Sequence, residues 1–558
     1  MILKNKYLQA LLAIIVVVVI NYISATVYSR FDITKDGRYT LSEASINTIK
    51  DVKTPIYVDV YLAGNLPAEF KRLQLETKQL LEGFVSENNN ILVTYIDTKT
   101  INEDANIISK EMQKFGMPPA RVDILDNGKT TQQLVFPWAV INHNKKTAKV
   151  SLLKNNLGSN AKERINNSVQ HLEYAFANGF KNVTTTTTKH IAHLIGNDEL
   201  ESIYAYDFYK TLEKEYPYKI TPFALDSANT KSIVTLKNLQ KFDLAIIAKP
   251  KKAFTDKEKY VLDQFTVNGG KTLWLIDAVH AEMDSIKPPN FQMMTVARDL
   301  KLNDLFFNYG FRINPVLVKD MYAADIVLGD SNGQFNKYPW FYNPLVMPSI
   351  KHEIVNNINA VKFEFVNTID LLKQGVHLKK TPLLQSSPLS ATVGMPALVN
   401  FSAISAAQKP DIKRFNKQYL NLAALIEGNF TSNYKNRVKP FHYPQHKDEN
   451  KAGKVIVIAD GDMIKNQLEK GKPLALGFDK FTGRTYGNKE FLLNAVNYLL
   501  DDTGLLKVRN KEVKIPILDV ERIAKEKQKW QFINIGVPLL ILVLFGLGYT
   551  FYRKNKYA

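Results

Sequence analysis

Two charge-free runs of twenty-three residues, one near each end of the chain, constrain its fold more than any other feature. They are residues 7–29 and 530–552. Twenty-three helical residues span about 34 Å, enough to cross the roughly 30 Å hydrocarbon core of a bilayer. We therefore predict a transmembrane anchor within residues 1–29 and a transmembrane helix at 530–552.

A cleaved signal peptide is the alternative for the first run, because Lys4 and Lys6 form a basic segment before it. The run is long for a signal peptide, and Ser24-Ala25-Thr26 is a weak cleavage site, which favours an uncleaved anchor. Two spans place both termini on the same side of a membrane. Short tails inside and a large domain outside is the commoner arrangement, so we expect the large domain outside the cytoplasm.

The composition excludes several kinds of chemistry. The 558 residues include no cysteine, which rules out disulfides, thiolate metal sites and a cysteine nucleophile. The net charge of +19 is spread in pairs such as Lys145-Lys146 and shows no nucleic-acid-binding motif. The charge therefore indicates a membrane surface or an acidic partner in a complex. We expect contact with anionic lipid beside the second run, at Arg522, Lys525, Lys527 and Lys529.

The pattern between the two runs predicts an α/β protein with two α/β domains. In residues 30–155, strands at 55–64 and 90–97 alternate with helices at 67–84 and 106–115, and strands at 122–125 and 134–141 follow. This order resembles a thioredoxin-like fold, but the redox CxxC is missing. Pro118–Pro119 is consistent with either a cis-proline turn or a simple helix stop.

A second α/β domain is predicted at residues 188–502, after a helix and threonine-rich linker at 156–187. Strands alternate with helices, which implies a mostly parallel sheet. Thr255 and Glu258 have the spacing of a capping box. A β-rich insertion is expected at about 313–405, before the α/β pattern returns at 454. A basic juxtamembrane segment at 503–529 and a basic tail at 553–558 flank the second span.

Polar residues follow two predicted strands of this second domain. Asp277 and His280, with Glu282 and Asp284 close behind, follow one strand, and Asp460 and Asp462 follow another. Open α/β sheets bind ligands at the carboxyl ends of their strands. Asp277, His280, Asp460 and Asp462 are therefore candidate ligand-binding residues, with a solvated loop carrying helix-capping acids as the alternative.

Two apparent catalytic motifs lack the required context. Ser331 lies in a G-x-S-x-G pattern, but a hairpin-like segment follows it where a nucleophile elbow needs a helix. The segment Gly270-Lys271-Thr272 ends like a phosphate-binding loop, but Phe265 stands where that loop needs glycine. We predict no catalytic, cofactor or metal site.

Several segments resemble the gliding-motility-associated ABC transporter auxiliary proteins of the GldG type, in order along nearly the whole chain. They are RFDITKDGRYTLS (30–42), VYLAGNLPAEFKRL (60–73), NNSVQHLEYAF (166–176), YPWFYNPLV (338–346), NAVKFEFVNTID (359–370) and GNKEFLLNAVNYLL (487–500). At 196–199 this chain has GNDE where the family tends to have a G-H-G-E-like turn. The resemblance implies that the second domain is a GIFT domain, related to class I glutamine amidotransferases, whose cysteine nucleophile is absent here.

The resemblance also implies a function. It implies a non-catalytic subunit of the bacterial inner membrane, with both termini cytoplasmic and the large domain periplasmic. Its partners would be the ATPase and permease subunits of an ABC system required for gliding in Bacteroidota. Two other hypotheses stay open: a periplasmic glycan- or peptide-binding receptor, and a membrane-anchored hydrolase using Ser331 or an acid cluster.

Overall fold

The computed structural model describes residues 12–21, 40–101, 105–126, 129–287, 289–329, 332–374, 377–401, 410–450, 452–511 and 520–557. The chain divides into two units, Met1–Glu512 and Val513–Ala558. The first unit contains a mixed α/β fold with several sheets, and the second contains one long helix.

Two apolar helices lie at the ends of the described chain. Helix α1 is Leu12–Asn21, which is ten residues of the predicted first span; the rest of that span lies outside the described residues. In the second unit, one helix runs from Val520 to Tyr557 and contains Pro538. Its segment Lys525–Lys556 is, among the described residues, the one helix long and apolar enough to cross a membrane.

The N-terminal part of the first unit is built on a four-stranded sheet. In chain order its elements are α2 (Glu43–Ile46), β1 (Ile56–Val60), α3 (Ala68–Glu87), β2 (Ile91–Tyr95), α4 (Thr98–Ile101), α5 (Ala105–Lys114), β3 (Ala120–Asp126), β4 (Lys129–Val135), β5 (Trp138–His143), β6 (Lys146–Ser151) and α6 (Ala161–Thr184). The sheet order is β2-β1-β5-β6, with β1 and β2 parallel and the other pairs antiparallel. Helices α3 and α6 pack against each other, and α6 also packs on β5 and β6.

Two details of the prediction for this part were wrong. The strand predicted at 134–141 is two strands, β4 and β5, because Phe136-Pro137 separates them and proline has no N–H to donate to a ladder. The cis-proline reading is also wrong, since the cis peptide bond among the described residues precedes Pro396 and not Pro118 or Pro119.

The next part alternates strands with helices, as predicted. Its elements are β7 (Lys189–Ile195), α7 (Tyr206–Glu215), β8 (Tyr218–Ala224), α8 (Ala228–Leu239), β9 (Leu244–Ala248), α9 (Asp256–Val267) and β10 (Lys271–Leu275). The capping box at the start of α9 is confirmed: the Thr255 side chain accepts from the Glu258 N–H, and the Glu258 side chain accepts from the Thr255 N–H.

A strand-rich segment follows, as predicted, although it begins before residue 313. Its elements are β11 (Val279–His280), β12 (Gln292–Ala297), α10 (Asn303–Asn308), β13 (Phe311–Asn314), β14 (Val316–Asp320), β15 (Ala323–Gly329), β16 (Phe335–Val346), β17 (Val361–Lys362), β18 (Thr368–Leu371), β19 (Leu378–Gln385), β20 (Ser390–Gly394) and β21 (Ala397–Asn400). All but β19 form small two- and three-stranded sheets.

The last part of the first unit returns to the large sheet. Its elements are β22 (Asn421–Gly428), β23 (Gly453–Ile458), β24 (Leu468–Glu469), β25 (Lys472–Pro473), β26 (Phe478–Asp479), β27 (Arg484–Thr485) and α11 (Asn488–Leu500). A 3-10 helix at Leu505–Asn510 buries Leu505, Leu506 and Val508. The helix of the second unit is α12.

The large sheet has the order β19-β22-β23-β10-β9-β7-β8. The five strands from β23 to β8 are parallel. Strand β22 is antiparallel to both of its neighbours, β23 and β19. Strand β9 is buried at every position, which is typical of a parallel strand covered on both faces. Because β23 pairs with β10, residues 453–458 lie beside residues 271–275, and the polar residues that follow the two strands meet.

Thr40, the first residue described after α1, lies beside Lys511, the last residue described before α12. The Lys511 ammonium donates to the Thr40 carbonyl at 2.6 Å and to the Glu173 carboxylate at 2.8 Å. The same carboxylate accepts from the Ser42 N–H at 2.7 Å and from the Ser45 hydroxyl at 2.9 Å. One buried side chain of α6 therefore binds both the segment that begins at Thr40 and Lys511.

Candidate functional site

Three neighbouring parallel strands end in charged residues. Lys249 follows β9, Asp277 lies two residues beyond β10, and Asp460 lies two residues beyond β23. Since the strands are parallel and adjacent, their carboxyl ends share one edge of the sheet. The structure thus brings together residues separated by as many as 213 positions in the chain.

The turn at Gly461 allows the two sides of this site to approach closely. The Asp460 carboxylate accepts from the Asp462 N–H at 2.7 Å, and the Asp277 carboxylate accepts from the Gly461 N–H at 2.6 Å. A Cβ at position 461 would lie 2.6 Å from Lys249 Cγ and 3.0 Å from Asp277 Oδ2. Glycine is therefore required here for contact between Lys249 and the acidic turn.

The Lys249 ammonium lies at the centre of the cluster. Its Nζ is 2.5 Å from Asp462 Oδ2, 3.0 Å from the Glu282 carboxylate and 3.5 Å from Asp277 Oδ2. The Lys249 side chain is 1% exposed. Although burial opposes its charged form, the carboxylates of Asp462, Asp277 and Glu282 raise the pKa of Lys249.

The carboxyl groups differ in how they respond to this environment. Burial raises the pKa of Asp460 well above its ordinary value, and the charges of Asp462 and Asp277 add to the effect. Burial also raises the pKa of Asp277. Burial acts in the same direction on Asp462, but Lys249 and Lys465 outweigh it and lower the pKa of Asp462. Asp462 is thus the charged partner of Lys249.

Three of the carboxylates have the spacing of a cation site. Oxygens of Asp277, Asp460 and Asp462 lie within 4.8 Å of one another. The Lys249 ammonium already provides a positive charge within 3.5 Å of two of these residues. The group is therefore explained as an internal ion pair network, without a metal ion.

One side of the cluster opens on a cavity of about 360 Å³. Five acids and three lysines line it: Asp284, Glu364, Asp460, Asp462, Asp479, Lys362, Lys465 and Lys480. Amides and aromatic rings also contribute to the wall, among them Asn466, Asn488, Tyr204, Phe478, Phe481 and Tyr486. Such a mixture can hold a small polar ligand.

The structure brings some of the candidate residues predicted from the sequence together and leaves others apart. Asp277, Asp460 and Asp462 meet, and Glu282 joins them through Lys249. His280 does not: its side chain is exposed on β11, and its Nδ1 lies 3.0 Å from an Arg298 nitrogen. Ser331 lies outside the described residues.

Lys249 is the central residue that the sequence reasoning missed. The available signal was a lysine directly after a fully apolar strand, in the sequence LAIIAKP. Its backbone φ of +53° is a further distinguishing feature, because non-glycine residues rarely adopt it.

The fold is that of an α/β protein with an apolar C-terminal helix. The carboxylates at the candidate site are neutralised by Lys249 of the same chain. Residues 188–495 match the family described as an ABC-type uncharacterized transport system, the ABC transporter auxiliary family, and the chain belongs to it. This supports an accessory role in an ABC-type transport system, association with an ABC transporter complex and a non-catalytic part in it.

Other comparisons add less. Residues 35–142 match a domain of unknown function (DUF7088). No curated protein matches the chain. The mmIFT52 N-terminal domain is 16% identical, with 56% of this chain and 99% of that domain covered and a TM-score of 0.32, and this likeness carries no argument.

Proposed function

We propose that the chain is a non-catalytic, membrane-anchored accessory subunit of a GldG-type ABC transporter complex that is required for gliding motility in Bacteroidota. The observation that carries the proposal is the family match over residues 188–495. The absence of cysteine supports the non-catalytic part, because the amidotransferase-like relatives implied by the resemblance use a cysteine nucleophile. The partners are an ATPase and a permease subunit in the inner membrane.

The proposed architecture has a thioredoxin-like domain at 30–155 and a GIFT-like domain at 188–502. The order β2-β1-β5-β6, with one parallel and two antiparallel pairs, supports the first assignment. The five parallel strands and the strand-rich segment inserted before β22 support the second. The proposal keeps the predicted bounds of the other segments: anchors at 1–29 and 530–552, a linker at 156–187, and basic segments at 503–529 and 553–558.

The proposed topology has two spans, both termini in the cytoplasm and the large unit in the periplasm. The contact between Lys511 and Thr40 supports it, because the segment that follows the predicted first span and the segment that precedes the predicted second span are in contact.

This topology can be tested by labelling, because the chain has no cysteine of its own. We expect a membrane-impermeant maleimide to label Lys439→Cys in cells with a permeabilised outer membrane. Lys4→Cys and Lys556→Cys should react only after the inner membrane is lysed. Labelling of either terminal cysteine before lysis, or protection of Lys439→Cys, would contradict the topology.

Gliding is tested separately by deletion of the gene. We expect cells lacking the chain to grow but not to spread or glide on agar, and expression of the intact chain to restore movement. Normal gliding of the deletion strain would remove the motility claim and leave the association with an ABC complex intact.

A periplasmic receptor is the second candidate, and the 360 Å³ cavity beside Asp460 and Asp462 favours it. Its polar and aromatic lining suits a short glycan or peptide. Asp277 is less available, since Gly461 and Lys249 bind it. A ligand-dependent rise in melting temperature that Asn488→Ala abolishes would favour this function; no shift with glycan and peptide panels would count against it.

A further inference from the structure

A second cavity of the first unit lies between its N-terminal sheet and its large sheet. It has a volume of about 1250 Å³. One wall is formed by β6, the end of α5 and helix α6, and the other by the end of α7 and by α11. We call this space the inter-sheet cleft. It is distinct from the cavity beside Asp460.

The inter-sheet cleft is strongly cationic. Two carboxylates line it, Glu215 and Glu490, against six basic side chains: Lys114, Lys149, Lys154, Lys214, Lys489 and Arg509. Lys489 pairs with Asp207, and Lys149 lies 4.0 Å from Glu215. Lys114 and Lys214 are exposed and form no ion pair with any described residue. This surface attracts an anion.

The floor of the cleft holds two cations that share one carboxylate, the half-buried Lys154 and the buried Arg509. The Lys154 ammonium bonds to Glu490, and an Arg509 nitrogen lies 3.6 Å from the same oxygen. The Arg509 side chain is 2% exposed, and its Nε is buried without a hydrogen-bond partner. Burial, together with the charges of Lys154 and Arg509, lowers the pKa of His171 well below its ordinary value.

A free strand edge runs along the same cleft. Strand β6 is the last strand of its sheet and pairs only with β5 among the described strands. Its residues Thr147–Ser151 all line the cleft. Ala148 and Val150 are buried on the side that packs on α6, whereas Thr147, Lys149 and Ser151 are exposed. An extended peptide can add to such an edge through main-chain hydrogen bonds.

We propose that the inter-sheet cleft binds an extended acidic peptide segment, which pairs as an added strand with β6 and directs carboxylates toward Lys114, Lys214 and the Lys154–Arg509 floor. The strand edge favours a peptide over an acidic glycan, because a glycan has no regular main-chain donors and acceptors to pair with β6. The proposal does not depend on association with an ABC complex.

Binding can be measured by fluorescence anisotropy with the full chain in detergent and a labelled ten-residue peptide, (Glu-Val)5. We expect saturable binding that weakens about tenfold in the double variant Lys114→Glu, Lys214→Glu. A matched control is Lys439→Glu, Lys472→Glu, which makes the same charge change at exposed lysines outside the cleft. Equal loss in both double variants, or no binding of the peptide, would overturn the proposal.

Strand addition has its own readout. In an added strand, alternate N–H groups face β6 and the others face away. Two peptides N-methylated on opposite sets of alternate residues should therefore differ, with only one losing binding. Equal effects of the two methylation patterns would contradict strand pairing. Binding of ten-residue oligogalacturonate with little binding of (Glu-Val)5 would assign the cleft to an acidic glycan and overturn the peptide proposal.

Discussion

Replacing Lys249 by methionine is expected to destabilise the first unit by about 3–5 kcal/mol, because the change leaves buried carboxylates without their cation. The lysine side chain is 1% exposed and contacts Asp462, Glu282 and Asp277. Thermal unfolding of the full chain in detergent would measure the effect, as a melting temperature lowered by on the order of 10 °C.

Two further measurements distinguish loss of the charge from loss of packing. Lys252→Met, at an exposed lysine three positions along the chain, should change stability by less than about 0.5 kcal/mol. In Lys249→Met, the additional change Asp462→Asn should recover part of the loss, since it removes the carboxylate that Lys249 neutralises most closely. If the double variant is no more stable than Lys249→Met, the ion-pair account is wrong.

The Lys249→Met defect should also depend on pH in a defined direction. The folded-state pKa values of Asp277 and Asp460 are already raised, so the folded chain binds protons more tightly than the unfolded chain above the ordinary carboxyl pKa. Without Lys249, the folded-state pKa of Asp462 is expected to rise as well. Stability relative to the wild type should therefore improve as the pH falls from about 7.5 toward 5. A stability defect that grows as the pH falls over this interval would contradict the ion-pair account of Lys249.

Replacing Glu173 by alanine is the second large expected effect, a loss of about 2–4 kcal/mol. The Glu173 side chain is 9% exposed and accepts from the Ser42 N–H, the Ser45 hydroxyl and Lys511. Its removal leaves the donors of Ser42, Ser45 and Lys511 without their common acceptor. Hydrogen exchange of the full chain should then become faster in residues 40–52 and 505–511, together with a lower melting temperature.

Two controls make this result interpretable. Glu173→Gln keeps an oxygen acceptor for Ser42 and Ser45 but loses the charge that pairs with Lys511, so its effect should be intermediate. Glu82→Ala, at an exposed glutamate of α3, should leave both segments protected. Unchanged exchange in Glu173→Ala would show that this side chain does not hold residues 40–52 and 505–511 in place.

Much of the fold follows from local patterns that the sequence displays. The capping box at Thr255 and Glu258 marks the start of α9, and the apolar run LAIIA marks a strand buried on both faces. The meeting of Asp277 with Asp460 could also be anticipated, because both follow strands of a parallel sheet. This expectation follows from the rule that the carboxyl ends of parallel strands lie at the same edge of a sheet.

Other features depend on contacts that the local sequence does not contain. Lys249 lies in the sequence KPKK, which is typical of a solvated basic segment, and its closest carboxylate is 213 residues away. Strand β6, KTAKVS, has only two apolar residues, Ala148 and Val150, so its alternation is too short to predict a strand from the sequence. His280 follows the right strand but pairs within β11 and β12, which leaves its ring exposed.

The central claim, that this chain is an accessory subunit of an ABC transporter, is tested most directly by co-purification from native membranes. The full chain, tagged and expressed from its own locus, would be solubilised in mild detergent and captured, and the recovered proteins identified by mass spectrometry. An unrelated inner-membrane protein with the same tag is the control. We expect an ATPase and a permease of one ABC system in constant proportion to the chain and absent from the control. Recovery of the intact chain without ABC subunits would contradict the account.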